Sequence, residues 1–258
     1  MRMKERHKKI EELLSGRDYM TVEELSETLG VSKVTIRSDL SLLEEKGILF
    51  RTHGGAMLSE IKSKRRFVNA SMNEYSSEKD AIGKLAASLI SDNSVIIIDV
   101  GSTTVRVTDY IKNKNLSVVT NNLLALDALQ DAPNLDIYAL GGQYRQNSKG
   151  FIGNTTISSL LHVNADILFM GATTYDDKAI YTSNIVEAET KAAMMKVANR
   201  IVFMADSSKS GKHSYAKITE WKDIDTFITD KISYELRAKL ENEGVEVLTA
   251  EDNTTDEG

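Results

Sequence analysis

Residues 30–56 read GVSKVTIRSDLSLLEEKGILFRTHGGA, and their punctuation decides the fold of the N-terminal part. Gly30-Val31-Ser32 is a three-residue break between two helical patterns. Gly30 stops one helix and Ser32 caps the next, predicted over 33–46 with Gly47 at its end. The periodicity places Val34, Leu40 and Leu43 on its inner face. Upstream, Thr21-Val22-Glu23-Glu24 is a capping box opening a helix that buries Leu25 and Leu29. A first helix over 4–15 has Ile10, Leu13 and Leu14 on one face and is closed by Gly16. Downstream, Ile48-Leu49-Phe50-Arg51 reads as a strand, Thr52-His53-Gly54-Gly55 as a tight loop and Ala56-Met57-Leu58 as a returning strand. The sum is a winged helix-turn-helix over residues 1–58.

A break this short makes the two helices cross steeply, so the start of the third stands out where it can enter a major groove. With the capping Ser32, the positions expected to be exposed there are Lys33, Thr35, Ile36, Arg37 and Ser38. Arginine can grip guanine with two hydrogen bonds, and an apolar tip can touch a thymine methyl. Arg51, Thr52 and His53 on the wing are candidates for phosphate contacts. Double-stranded DNA is therefore the expected partner of this part.

Charge agrees with that division. Residues 1–66 hold 14 Lys/Arg against 11 Asp/Glu, leaving 18 against 27 from totals of 32 and 38, so a mildly basic head precedes an acidic body. The chain has no cysteine, which excludes disulfides, thiol catalysis and cysteine metal sites. His7, His53, His162 and His213 show no metal-ligand spacing, so neither metal nor cofactor is expected. No apolar run approaches roughly eighteen residues, and MRMKERHKKIEELL lacks the apolar core of a secretory signal. A cytoplasmic protein with no membrane partner is the expectation.

Residues 59–76 are polar, with Lys62, Lys64, Arg65 and Arg66 clustered, and read as a linker. From there to residue 250 strands alternate with helices, the pattern of an α/β domain. Strands are expected over 94–99, 116–120, 136–140, 165–170, 200–205, 226–229 and 246–248. Helices are expected over 78–90, 104–112, 123–130, 155–161, 186–198 and 234–242. The acidic, apolar-free stretch 251–258 reads as a disordered tail. Ligands of such sheets bind at the carboxyl ends of the strands, and five successive ends here are polar or glycine-rich. They are Asp99-Val100-Gly101-Ser102-Thr103-Thr104, Thr120-Asn121-Asn122, Gly141-Gly142-Gln143-Tyr144-Arg145, Gly171-Ala172-Thr173 and Asp206-Ser207-Ser208-Lys209. A glycine with hydroxyls at a strand-to-helix turn offers donors to an anion, although a capped helix start explains the same residues. The helix beginning Val186-Glu187-Ala188-Glu189-Thr190-Lys191 adds two carboxylates, placed either for the helix dipole or for ligand hydroxyls.

Both halves resemble the DeoR family of bacterial sugar-catabolism regulators. Residues 30–56 resemble its winged helix-turn-helix, with Ser38 where the family pattern has a second arginine. IDVGSTT, VVTNN, LGGQYR, FMGA, EAETKAAM and ADSSK follow in the order of its C-terminal sensor domain, which is similar in fold to ribose-5-phosphate isomerase. The resemblance implies a repressor of a carbohydrate-utilisation operon, acting as a dimer or tetramer and released from its operator by a phosphorylated sugar. It implies phosphate at Gly101, Ser102, Thr103 and Thr104. The sugar would be met by Asp99, Thr120, Asn121, Arg145, Glu187, Glu189, Lys191, Asp206 and Lys209, with Gly141 and Gly142 allowing close approach. Thr173 stands where many relatives carry aspartate; Thr173 and Tyr175 are the positions expected to set ligand identity. An isomerase with an accessory head is the second reading. It needs a base such as Glu189 or Asp99, and the missing acid at Thr173 argues against catalysis.

Overall fold

Thr21 and Glu24 close the capping box in the computed structural model: Thr21 Oγ1 accepts the Glu24 N–H at 3.1 Å and Glu24 Oε2 accepts the Thr21 N–H at 2.7 Å. The structure describes residues 3–15, 20–46, 48–51, 54–58, 72, 74–211 and 214–250. They fall into two compact units, Met1–Ala70 and Ser71–Gly258. Residues 59–71 and 73 of the expected linker, and the expected tail 251–258, lie outside the described residues.

The first unit contains α1 (Met3–Ser15), β1 (Met20–Thr21), α2 (Val22–Leu29), α3 (Lys33–Glu45), β2 (Leu49–Arg51) and β3 (Gly55–Leu58). Gly30 ends α2 in the left-handed region at φ +62, and Ser32 Oγ caps α3 by accepting the Thr35 N–H at 3.2 Å. The wing is a three-stranded antiparallel sheet in the order β1-β3-β2. Its β1 was not expected, because two residues are too few to show a period; pairing of Met20 with Ala56 makes the strand.

Helix α3 is rotated from its expected setting. Val34 is 73% exposed, whereas Ile36 is fully buried in the core with Ile10, Leu25, Leu40, Leu43 and Leu49. Ile36, Leu40 and Leu43 follow the i, i+4, i+7 spacing of one helical face, and Val34 lies about 200° around the axis from Ile36. Leu29, expected in the core, is only half-buried at its margin.

The second unit runs α4 (Ser76–Ser88), β4 (Val95–Ile98), β5 (Leu116–Thr120), α5 (Leu123–Leu129), β6 (Leu135–Ala139), β7 (Gln143–Arg145), β8 (Gly150–Ile152), α6 (Asn154–Leu160), β9 (Ala165–Met170), β10 (Thr174–Tyr175), β11 (Ala179–Thr182), α7 (Ile185–Met195), β12 (Ala198–Met204), β13 (Ala216–Glu220), β14 (Thr226–Thr229), α8 (Tyr234–Asn242) and β15 (Glu246–Thr249). Seven strands form one parallel sheet in the order β15-β14-β12-β9-β4-β5-β6. Alternate residues feed two cores: Ile97, Leu168, Phe203 and Phe227 face one layer, and Ile96, Ile98, Phe169 and Val202 face the other. That is why these strands read as unbroken apolar runs. The chain winds outward from β4 to β6, then returns across β4 to β9, so β4 and β9 flank the switch point where ligands of open sheets bind.

Two features depart from expectation. Residues Thr104–Tyr110 form a 3-10 helix. A β7–β8 hairpin and a small sheet, β10-β11-β13, occupy what reads in sequence as loops.

Candidate functional site

Over the first three turns of α3 the exposed side chains are Lys33, Val34, Arg37, Ser38, Ser41 and Leu42, with Glu44 and Glu45 exposed at its end. Ile36 is withdrawn from the candidate interface by its burial, and Val34 supplies the apolar tip instead. Ser32 spends its hydroxyl on the cap and on Thr35 Oγ1 at 2.9 Å, Thr35 is half-buried, and Lys33 is paired with Glu23. Arg51 is exposed; its guanidinium donates to Ser41 Oγ and its N–H to Glu44 Oε1 at 2.9 Å, docking the wing on α3. Thr52 and His53 lie outside the described residues.

Behind α3 sits a group that the sequence reading passed over. Asp39 is 2% exposed and accepts from Arg6 Nη2 at 3.0 Å and Arg6 Nε at 2.5 Å, while His7 Nε2 stands 2.9 Å away. Two side chains of α1 thus pin the recognition helix through one buried carboxylate.

In the second unit the strand ends converge. Asp99, fully buried beyond β4, accepts at Oδ2 from Lys191 Nζ and from the Gly171 N–H at 3.2 Å, bridging the switch point. A side chain at 171 would stand 3.2 Å from Val100 O, so glycine lets the two turns touch. Lys191 is also 3.8 Å from Glu187 Oε1, one turn back on α7. Glu187 in turn accepts from Thr182 Oγ1 at 2.9 Å and from Arg145 Nε at 3.1 Å, and Arg145 Nη2 reaches Ser183 Oγ at 3.3 Å. Asp99, Lys191, Glu187 and Arg145 therefore form one chain of alternating charge drawn from β4, α7 and β7. Burial pushes the Asp99 carboxyl up, and the Lys191 ammonium opposes it.

Thr104 Oγ1 donates to Asp99 O at 2.7 Å and Thr120 Oγ1 to Ile98 O at 2.5 Å, so both hydroxyls hold the turns they belong to. Among the described residues, Asp99 Oδ1, Thr103 Oγ1, Asn121 Oδ1 and Asp206 Oδ2 are buried without a hydrogen-bond partner. Each lies at a strand end. Buried polar atoms are rarely left unmatched, so four along these strand ends make this edge of the sheet the candidate ligand site.

Ser102 and Gly101 are half-exposed beside Thr103. Asp206 follows β12, and Lys209 Nζ donates to Ala172 O at 3.0 Å. Glu189 is exposed, half a turn away from Glu187 and Lys191, and does not join the network; a helix that buries residues 187, 190, 191 and 194 must turn 189 outward. Gly141 and Gly142 are also exposed; the missing side chain at 142 makes room for Thr156 Oγ1, which would lie 2.2 Å from a Cβ there. Tyr175 is not at the rim. It is 1% exposed, edge-on to Phe203, Trp221 and Phe227. Thr173 does border the network, its Oγ1 3.4 Å from Thr182 Oγ1.

Three residues absent from the sequence-derived set belong here. Asn122 Nδ2 donates to Asp99 O at 3.3 Å. Asp230 holds the turn after β12 by accepting from Ser207 N at 2.6 Å and Ser207 Oγ at 2.9 Å. Lys79, 1% exposed, places Nζ 3.9 Å from Asp206 Oδ2, and burial pushes its ammonium down against the pull of Asp206. Asn122 lies in the polar strand end 120–122 noted in the sequence and Asp230 directly follows β14, signals that could have marked both as site residues; Lys79 has no such signal. Among the described residues no group of His, Cys, Asp and Glu could hold a metal ion, and no helix is long and apolar enough to cross a membrane.

Comparison with known proteins matches residues 6–62 to the DeoR-like helix-turn-helix domain and residues 74–231 to the DeoR C terminal sensor domain. The chain is 37% identical to the HTH-type transcriptional regulator GolR of Listeria innocua, over 96% of this chain and 98% of that one. It is 31% identical to the HTH-type transcriptional repressor GlcR of Bacillus subtilis, over 97% and 98%. It is 30% identical to the lactose phosphotransferase system repressor of Staphylococcus epidermidis, over 93% and 96%. Among solved structures, ribose 5-phosphate isomerase A of Methanocaldococcus jannaschii superimposes with a TM-score of 0.40 at 16% identity, over 53% of this chain and 55% of that one.

Proposed function

Since this chain belongs to the DeoR family of DNA-binding transcriptional regulators, we infer that it is a cytoplasmic repressor of a carbohydrate-utilisation operon, released from its operator by a phosphorylated sugar. The observation that carries the effector reading is the set of unmatched buried oxygens at Asp99, Thr103, Asn121 and Asp206, beside the cations Lys191, Arg145 and Lys209. A phosphate drawn to the turn 101–104 meets Thr103 Oγ1 and the half-exposed Ser102. Sugar hydroxyls can donate to carboxylate oxygens that accept nothing from the protein. Helix-turn-helix proteins read paired half-sites as symmetric oligomers, so a dimer or tetramer is part of the reading. The relatives named as repressors favour repression over activation.

The test is fluorescence anisotropy of the full chain on the DNA upstream of its own gene, at one stated salt concentration because affinity without it is uninterpretable. Glucose 6-phosphate, ribose 5-phosphate, fructose 1-phosphate, galactose 6-phosphate and glucosamine 6-phosphate are titrated in. Release by one of them upholds the reading. DNA binding that none of them changes argues against a sugar-phosphate effector, and conversion of ribose 5-phosphate to its ketose would overturn the non-catalytic part.

Two substitutions separate the sites. Arg37→Ala is expected to weaken the upstream DNA by about 1–3 kcal/mol while sparing random DNA and effector binding. Equal loss on random sequence would mean that Arg37 touches only phosphate. Thr103→Val is close to isosteric and removes an unmatched buried hydroxyl, so urea denaturation should show unchanged or slightly higher stability. The sugar-phosphate response should nonetheless weaken at least about tenfold, the worth of roughly one hydrogen bond to a charged group. A retained response would take the phosphate away from this turn.

A further inference from the structure

Met72 and residues 74–76 are the first described residues of the second unit, and two cations hold them. Arg106 Nη2 donates to Met72 O and to Ser76 Oγ, both at 3.1 Å. Lys79 Nζ donates to Glu74 O at 2.7 Å. Between these anchors Tyr75 sits at φ +54, the left-handed region that a bulky residue occupies only when its surroundings impose it, and it begins α4 without a side-chain cap.

Both cations also adjoin the strand-end site. Arg106 lies two residues beyond Thr104, in the 3-10 segment that continues the 101–104 turn. Helix α4 is seated on it so closely that a side chain at Gly83 would come within 2.5 Å of Arg106 Cβ and 2.9 Å of its carbonyl carbon. A displacement of this turn therefore cannot leave α4 where it is. Lys79 reaches Asp206 Oδ2, one of the unmatched oxygens, across 3.9 Å, a separation held by charge without a hydrogen bond.

We propose that Arg106 and Lys79 are positioning residues that carry occupancy of the strand-end site to residues 72–76, and through them to the DNA-binding unit that precedes them in the chain. The proposal rests on the sugar-phosphate reading above. A phosphate engaging the 101–104 turn moves the base on which Arg106 stands, and a hydroxyl donating to Asp206 Oδ2 competes with Lys79 for that charge. The first change loosens the hold on the Met72 carbonyl, the second resets Lys79 against the Glu74 carbonyl, and either alters the restraint that keeps Tyr75 in its left-handed conformation. Coupling of this kind needs only that the ligand prefers one of the two arrangements of this segment.

The test is hydrogen exchange of the full chain with inorganic phosphate as the probe and chloride at matched ionic strength as the control. Phosphate is expected to slow exchange over 99–106 and to change it over 72–80, with one midpoint for both. In Arg106→Gln the change over 99–106 should persist and that over 72–80 should vanish. Tyr75→Gly, which relieves the left-handed residue without touching either cation, should also uncouple the two segments. With a sugar phosphate that releases DNA, these variants should bind it within about threefold of the wild type and need at least about tenfold more of it for release, within the usual range of coupling. Protection over 99–106 with 72–80 unaltered in the wild type overturns the coupling and leaves the site reading intact. Protection at neither segment removes the site reading, and this inference with it. Unimpaired release in both Arg106→Gln and Tyr75→Gly also overturns the proposal.

Discussion

Lys191→Met lowers the stability of the C-terminal unit by about 3–5 kcal/mol, the cost of leaving a buried charge without its partner. Lys191 and Asp99 are 1% and 0% exposed, and Asp99 Oδ2 is left with only the Gly171 N–H at 3.2 Å. Trp221, the only tryptophan and itself fully buried in this unit, reports the transition in urea without interference from the head. The loss has a sign in pH. Burial already pushes Asp99 up, and removing Lys191 raises it further, so the folded variant holds a proton that the unfolded chain releases near its ordinary value of about 3.9. Stability then falls as pH rises through that value toward the folded-state one, and the deficit is smaller at pH 4.5 than at pH 8. Adding Asp99→Asn to Lys191→Met removes the stranded charge and recovers most of the deficit. A single variant as stable as the wild type at pH 8 would mean that the pair contributes nothing there. A double variant no better than the single would mean that the loss comes from packing.

Asp39→Ala abolishes operator binding without touching an exposed residue of α3. The carboxylate joins Arg6 and His7 of α1 to the back of the recognition helix, and its removal breaks this buried ion pair, at about 3 kcal/mol or more. The core it serves is small: nine buried apolar side chains, from Ile10 to Ala56, among the described residues. Units of this size have little stability in reserve. Far-UV circular dichroism should therefore show an early transition absent from the wild type, while the Trp221 signal is unchanged, and anisotropy should show no specific DNA binding. An unaltered melting curve with full DNA affinity would sink this account of Asp39. Asp39→Asn, which keeps two of the contacts without the charge, is expected to fall between the two.

How much of this was legible in advance depended on the range of the signal. The strands Leu116–Thr120, Ala165–Met170 and Thr226–Thr229 match the sequence reading to the residue, since each is an apolar run bounded by polar turns. The caps at Thr21, Gly30 and Ser32 are likewise local, each completed within four residues. The short strands β7, β8, β10 and β11 were not legible, because two to four residues carry no measurable period and only a partner strand defines them. The phase of α3 failed on a choice between two β-branched apolar residues, Val34 and Ile36, of which the structure buries the second. Weighting the Ile36-Leu40-Leu43 spacing would have resolved it. Lys79 and Asp39 escaped because charged residues in amphipathic helices are ordinarily placed on the wet side.

By itself, then, the sequence determined the helices of the head, the strands of the seven-stranded sheet and most of the helices between them, their order, and the polar strand ends where a ligand would be sought, because caps, turns and apolar runs act over a few residues. Only the tertiary structure decided which charges are buried and what faces them. Gly171 and Lys191 reach Asp99 from 72 and 92 residues away, Arg145 reaches Glu187 from 42, and Glu187 rather than Glu189 is turned inward. Such pairings are set by the winding of the sheet around its switch point, a long-range property that no local pattern contains.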